Sequence, residues 1–272
     1  MRLEIAYTTT YHYDPPAGHG LTALRLRPRQ RAGLSVKRSV LMPREGSIVR
    51  SYVDGWGTQV DVVECAVRHA EAQFDLEAIV ETGAEAADDA PSAGELVMYG
   101  RDSSRVRLLS VAPLAQQLSL DPAAWNSVKV VLCCLPQWFI YRIGATDAQT
   151  PMETVLQTGE GVCQDFAHIL IGVLRRWGWA ARYVSGYVYT GSHDGGRIEA
   201  AAMHAWVQVY RPDFGWVGLD PTTGGYADDT YVPVAFGRDY DDVRPVRGVV
   251  SGALTSQYQS ATLTVTLSGA QQ

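Results

Sequence analysis

Leu3, Ile5, Tyr7, Thr9, Tyr11 and Tyr13 fall on one parity at the start of the chain, with mostly polar residues between them. Side chains alternate across a strand with a period of two, so this spacing predicts a half-buried strand and argues against an amphipathic helix. "LTALRLRP", "VKRSVLMP", "TQVDVVECAV" and "AQFDLEAIVET" repeat the theme. In the last of them Phe74, Leu76, Ala78 and Val80 share a face against Gln73, Asp75, Glu77 and Ile79. Short strands parted by Gly and Pro turns over the first eighty or so residues predict an antiparallel β-sandwich or barrel. The densest basic stretch, "LRLRPRQRAG" at 24–33, alternates arginines with Leu24 and Leu26 and reads as the solvent face of a strand.

The texture then changes. "GAEAADDAPSAGE", residues 83–95, is small, acidic and broken by Pro91, and is read as a linker over 84–97. "LDPAAWNSVKVVLCCLPQ" places Asp121 to cap a helix and Pro122 in its first turn, with Pro136 as the stop. A second helix begins at Cys163, with Phe166, Ile169, Leu170, Val173, Leu174 and Trp177 at helical spacing and Arg175 and Arg176 near its negative end. Strand patterns follow in "ARYVSGYVYT", "HAWVQVYR" and "GWVGLDPT", and the tail "SATLTVTLS" alternates Leu263, Val265 and Leu267 with threonines. The expected fold class is α+β: a β-sandwich-like domain over 1–83, then a unit over 98–272 with helices packed on an antiparallel sheet and a C-terminal β tail. The 272 residues are enough for this.

Several function classes are disfavoured. A net charge of −6 with no basic cluster argues against a nucleic-acid surface. No apolar run approaches the length of a membrane span. Cys65, Cys133, Cys134 and Cys163 form no CxxC pair and no zinc-ligand spacing, so neither a metal nor a cofactor is expected. The N-terminus lacks a secretory pattern, and with free thiols this leads to an expected cytoplasmic location.

"GEGVCQDFAHILIGVLRRWGW" puts a thiol at the head of a helix. A helix N-terminus offers unpaired N–H groups and partial positive charge, which favour a thiolate and can receive an oxyanion. Gly159 and Gly161 would let the backbone turn and leave the sulfur uncovered. A buried packing role is the alternative, since free cysteine is among the most buried residue types.

"MHAWVQVYRPDFGWVGLDPT" bears on that choice. It reads as two strands joined by "RPDFG". On the first, His204, Trp206, Gln208 and Tyr210 share a face opposite Ala205, Val207 and Val209. On the second, Trp216, Gly218 and Asp220 oppose Val217 and Leu219. Keeping the apolar residues on one face forces even-numbered residues opposite even-numbered ones, because a slip of one splits the apolar set. His204 then lies directly or diagonally across from Asp220, within side-chain reach. Nucleophile, base and orienter are thus all present if the sulfur meets this pair.

Together "GEGVCQDFAHILIGVLRRWGWAARYVSGY", "MHAWVQVYRPDFGWVGLDPTTG" and "GRDYDDVRPVRG" resemble the core of the bacterial transglutaminase-like superfamily. "YHYDPPA" and "DGWGTQV" resemble the N-terminal domain that accompanies it. The resemblance implies a papain-like core and a Cys–His–Asp triad at Cys163, His204 and Asp220. It implies acyl transfer from a peptide or protein amide through an acyl-thioester: a peptidase or amidase, a protein-glutamine transglutaminase, or a binding module using the same cleft. Some members stabilise the oxyanion with an upstream side chain; in "QWFIYRIGATD", Trp138 or Tyr141 could serve, although core packing is expected of both.

Other residues are given lesser roles. Gln164 and Trp206 are candidates to line the substrate cleft. His168, five residues beyond Cys163, is turned away from the sulfur and is expected to make a polar or core contact. Asp165 complements the positive helix end. "GSHDGGR" at 191–197 reads as a mobile hairpin loop, and the acidic "GRDYDDVRP" reads as a solvated turn without calcium-loop spacing.

Overall fold

The computed structural model describes residues 1–43, 47–83, 90–191, 203–252 and 255–267. Six strands come first: β1 (Arg2–Ala17), β2 (Gly20–Leu24), β3 (Leu34–Pro43), β4 (Ile48–Val53), β5 (Gln59–Cys65) and β6 (His69–Thr82). Helices α1 (Ala93–Met98), α2 (Ala112–Gln117) and α3 (Trp125–Trp138) follow, then β7 (Ile140–Tyr141), α4 (Met152–Thr158), β8 (Glu160–Gly161) and α5 (Cys163–Arg176). The chain continues through β9 (Ala181–Val188), β10 (His204–Arg211), β11 (Gly215–Asp220), β12 (Gly225–Tyr226), β13 (Tyr231–Gly237), α6 (Tyr240–Val243), β14 (Val246–Val250) and β15 (Ser256–Leu267). The fold is α+β with antiparallel sheets, and no described helix is long and apolar enough to cross a membrane.

The alternating N-terminal residues form the strands they predict. In β1, Leu3, Ile5, Tyr7, Thr9 and Tyr13 are buried; in β6, Phe74, Leu76, Ala78 and Val80 are. Two four-stranded antiparallel sheets result, in the orders β15–β1–β6–β3 and β14–β2–β5–β4. The outer strands β15 and β14 come from the far end of the chain. The C-terminal tail, expected to extend the second unit, instead pairs along β1 from Leu3↔Leu267 to Asp14↔Ser256. Its burial is one-sided, with Leu263 inside, so it can cap the edge of an existing sheet and contribute only one face to the core. β4, exposed at all six residues, carries no burial alternation that a sequence pattern could reveal.

Three local expectations need correction. Asp121 does not cap α3: the N-cap is Ala124, and the Asp121 carboxylate accepts from the Ala123 N–H (3.0 Å) one turn earlier. Pro136 lies inside α3, which runs to Trp138; so near the C-terminus the proline costs one hydrogen bond and stops nothing. Part of the expected linker falls outside the described residues, but Ala93–Met98 is helical, with Ser92 and Glu95 closing a capping box.

The arginines of "LRLRPRQR" do not face solvent. β2 ends at Leu24, and Arg25, Arg27 and Arg29 turn inward, half-buried. Arg25 Nε donates to Asp54 (3.0 Å), and Arg27 Nε to Asp61 (2.7 Å), whose carboxylate is 1% exposed. Arg29 donates to the Trp56 carbonyl (2.8 Å) and lies over the Phe236 ring (4.9 Å). This segment thus joins the N-terminal sheets to the second half of the chain.

That half is built on the five-stranded antiparallel sheet β12–β11–β10–β9–β13. Helix α5 lies on one face of it, with Phe166, Ile169, Leu170, Val173 and Leu174 buried in the same core as Val207, Val209, Val217 and Leu219. The hairpin register is Val207↔Leu219, Gln208↔Gly218, Val209↔Val217 and Tyr210↔Trp216, even opposite even as the face argument requires. The opposite face also is buried, under a cluster of Val184, Trp206 and Phe236.

Candidate active site

The site forms where the N-terminus of α5 meets the first residue of β10. Chain enters α5 through β8, which pairs in parallel with β7 (Ile140↔Glu160, Tyr141↔Gly161). Gly159, at φ 72°, ends α4 in the left-handed conformation that glycine tolerates. Gly161 acts differently from expected: it makes no turn, but a Cβ there would lie 2.9 Å from the Asp165 carboxylate. Its bareness lets Asp165 Oδ2 accept from the Val162 N–H (2.9 Å) and the Thr146 hydroxyl (2.6 Å). Asp165 is therefore a buried helix cap, and burial raises its pKa.

Cys163 is the first residue of α5 and is half-buried. It lies close enough to the His204 imidazole to help raise that group's pKa. His204 Nε2 lies 2.9 Å from Asp220 Oδ2. A carboxylate only accepts, so Nε2 carries the hydrogen, and Nδ1 is the nitrogen left for the sulfur. Asp220 sits one diagonal step from His204 across the hairpin and is 1% exposed. It also accepts from the Thr222 N–H at Oδ1 (2.8 Å) and from the Tyr231 hydroxyl at Oδ2 (2.8 Å).

The charges follow from this geometry. Burial pulls the His204 pKa down, but the hydrogen bonds to Asp220 and Cys163 and the charges on both outweigh it and carry it up to about 10. For Asp220, burial acts upward and loses to the His204 hydrogen bond and charge, helped by Thr222 and Tyr231, so its carboxyl stays below the ordinary value. The pair is held as imidazolium and carboxylate across the neutral range.

Tyr141 lies near the sulfur as well, close enough for Cys163 to raise the pKa of its hydroxyl, and its ring stands edge-on to Phe166 (6.1 Å, 89°). Burial, then the charge of Cys163, raises its pKa to about 12. It is 47% exposed, and Trp138 is 42% exposed, so neither is the core aromatic expected from sequence. Spacing could not reveal this proximity, because Tyr141 is brought near Cys163 by the β7–β8 pairing.

The other candidates take different places. Gln164 is half-buried at the second position of α5. Trp206 is 2% exposed, and its ring lies beside His204, nearly parallel to it (22°, centroids 6.3 Å apart). His168 is buried away from the sulfur, accepts from the Tyr240 N–H (3.2 Å), and is pushed down to about 4 by burial. The "GRDYDDVRP" turn is paired and not simply solvated: Asp239 accepts from Ser104 and from the Arg105 N–H, Asp241 binds Arg105 and Arg244, and Asp242 binds Arg238. Arg175 is buried too and donates to the carbonyls of Arg101, Ala181 and Arg238, tying α5 to its surroundings. Of "GSHDGGR", all but Gly191 lies outside the described residues. Among the described residues, no group of three or more His, Cys, Asp or Glu is disposed to hold a metal ion.

Two family profiles match separate parts of the chain: the Transglutaminase-like superfamily over residues 133–221, and the bacterial transglutaminase-like N-terminal region over residues 3–81. The chain belongs to the transglutaminase-like superfamily. An uncharacterised protein of Mycobacterium leprae is 29% identical to it over 92% of this chain and 94% of its own. An uncharacterised Mycobacterium tuberculosis protein is 47% identical over 41% of this chain and 38% of its own length. A protein-glutamine gamma-glutamyltransferase of Pseudomonas aeruginosa is 33% identical over 41% of this chain and only 15% of its own. Among solved structures, a candidate cysteine protease from Cytophaga hutchinsonii superposes with a TM-score of 0.77 at 17% identity, covering 97% of this chain and 90% of that one. At that identity the likeness shows a shared fold from end to end.

Proposed function

We propose that this superfamily member is a thiol-dependent hydrolase of amide bonds in peptides or proteins, with Cys163 as nucleophile, His204 as base and acid, and Asp220 as orienter. The observation that supports the reading is an imidazole held 2.9 Å from the buried Asp220 carboxylate at the N-terminus of α5, where Cys163 is near enough to raise its pKa. Sγ, its proton already passed to Nδ1 of His204 in the resting imidazolium, attacks the amide carbonyl carbon. The resulting oxyanion meets the Cys163 N–H at the helix N-terminus, with the Tyr141 hydroxyl beside it. His204 then protonates the leaving amine as the C–N bond breaks, leaving an acyl-thioester. Water, deprotonated by the same nitrogen, releases the acid and frees the sulfur.

Iodoacetamide labelling of the folded protein, mapped by mass spectrometry, tests this. Cys133 is exposed and Cys163 half-buried, so access alone makes Cys133 the faster thiol. Activation makes Cys163 the faster, with a rate that holds at mildly acidic pH and drops sharply in His204→Ala. Equal, slow labelling of all four cysteines would reject the reading.

The similarity to the Pseudomonas aeruginosa gamma-glutamyltransferase favours one second reading, transfer of the acyl group to an amine. Dimethylcasein with a fluorescent cadaverine separates the two: incorporation well above hydrolysis selects transfer.

A further inference from the structure

Tyr231 is placed unusually for a residue that touches Asp220. It opens β13, whereas Asp220 closes β11, and β9 and β10 lie between those strands in the sheet. The phenol therefore spans the sheet face over the strand ends. It stands edge-on against Trp206 (5.2 Å, 72°) and beside His204 (6.3 Å, 52°). Trp206 in turn lies beside the imidazole, so the two aromatic rings form a corner into which His204 fits. Gly186, opposite both His204 and Pro233, makes room for the corner: a Cβ there would lie 2.6 Å from the Trp206 ring.

The hydroxyl is what goes beyond packing. Tyr231 O–H donates to Asp220 Oδ2 at 2.8 Å, the same oxygen that accepts from His204 Nε2 at 2.9 Å, while Thr222 holds Oδ1. Three donors arranged this way fix the plane of the carboxylate and hence the direction of the imidazole. They also divide its charge: whatever Oδ2 gives to the phenol it withholds from the imidazolium. Burial and the Asp220 charge raise the Tyr231 pKa, which keeps the hydroxyl protonated as a donor.

We propose that Tyr231 is a positioning residue of this site, which orients the Asp220 carboxylate through its hydroxyl and limits how strongly Asp220 holds the proton on His204. The inference rests on the reading of Cys163, His204 and Asp220 as the reacting set.

Tyr231→Phe keeps the ring and its contacts with Trp206 and removes only the donor. The expected result is an alkylation rate at Cys163 lower by about tenfold, as for loss of one hydrogen bond to a charged group. Its high-pH limb moves upward, because Oδ2 is left to His204 alone, while the unfolding midpoint changes by only a few degrees. The double variant Asp220→Asn with Tyr231→Phe is the second measurement: without the carboxylate, removing the hydroxyl should leave the limb where Asp220→Asn alone puts it. A single variant with wild-type rate and wild-type limb overturns the proposal, as does a limb shift that persists undiminished in the double variant. Failure of the reading beneath it looks different: wild-type Cys163 would then label no faster than Cys133.

Discussion

Replacing Asp220 by asparagine tests the electrostatics of the site directly. The carboxylate lies 2.9 Å from His204 Nε2, and unit charges at that distance attract by about 6 kcal/mol at an effective dielectric of about 20. Much of this offsets the burial of the imidazole, and what remains, with the contribution of Cys163, carries its pKa from 6.5 to about 10. That net rise is worth about 5 kcal/mol at about 1.4 kcal/mol per pH unit. The sign follows: with the folded value above the unfolded one, the imidazolium and the stability it contributes are fully present below about pH 6.5. Both are lost as pH rises toward 10. Asparagine keeps the shape and an acceptor oxygen but no charge, so the high-pH limb of Cys163 alkylation should fall from near 10 by at least about one unit. If the protein hydrolyses amides as proposed, that activity should fall by about 10²–10⁴-fold, since the asparagine amide can also present its NH₂ to Nε2 and select the wrong tautomer. The assay is the pH dependence of the alkylation rate between pH 5 and 11, with circular dichroism confirming the fold. A variant that is folded, with its limb still near 10, would refute the claim that Asp220 sets the protonation of His204.

Other parts of the molecule give further expectations. His168 is held near 4 when folded, against about 6.5 unfolded, so its contribution to stability is present above 6.5 and lost as pH falls toward 4. Urea midpoints at pH 7 and 4.5 should show a loss of up to about 3 kcal/mol that is smaller in His168→Gln; equal losses would contradict this. Gly186→Ala places a Cβ 2.2 Å from the Val232 carbonyl oxygen and 2.6 Å from Trp206, and should destabilise by about 2 kcal/mol or more in thermal unfolding. Arg27→Ala removes the cation from the buried Asp61 carboxylate, which still accepts from Ser51 (2.5 Å), and should cost about 3–5 kcal/mol in chemical denaturation. Lys37→Ala, at the exposed Lys37–Glu81 pair, should leave the denaturation midpoint close to that of the wild type. Similar losses for the two would mean that burial does not govern these pairs.

What the sequence determined on its own is local and periodic. A period of two made β1 and β6 strands and chose their buried faces, because alternation alone decides which side of a strand is apolar. The same argument fixed the register of β10 against β11 and so brought His204 to Asp220, and a cysteine at the start of an amphipathic run fixed the thiol at a helix tip. Tertiary structure decided whatever depended on segments distant in the chain. That Cys163 and His204 come near enough to act on each other's charge, that Tyr141 is brought near by β7–β8 pairing, and that Tyr231 crosses two strands to reach Asp220 have no signature in spacing. The inward turn of Arg25 and Arg27 and the return of β15 to β1 belong with them. The physical reason is common to all: a side chain's period tells which face it occupies, but its partner across that face is set by how the elements pack.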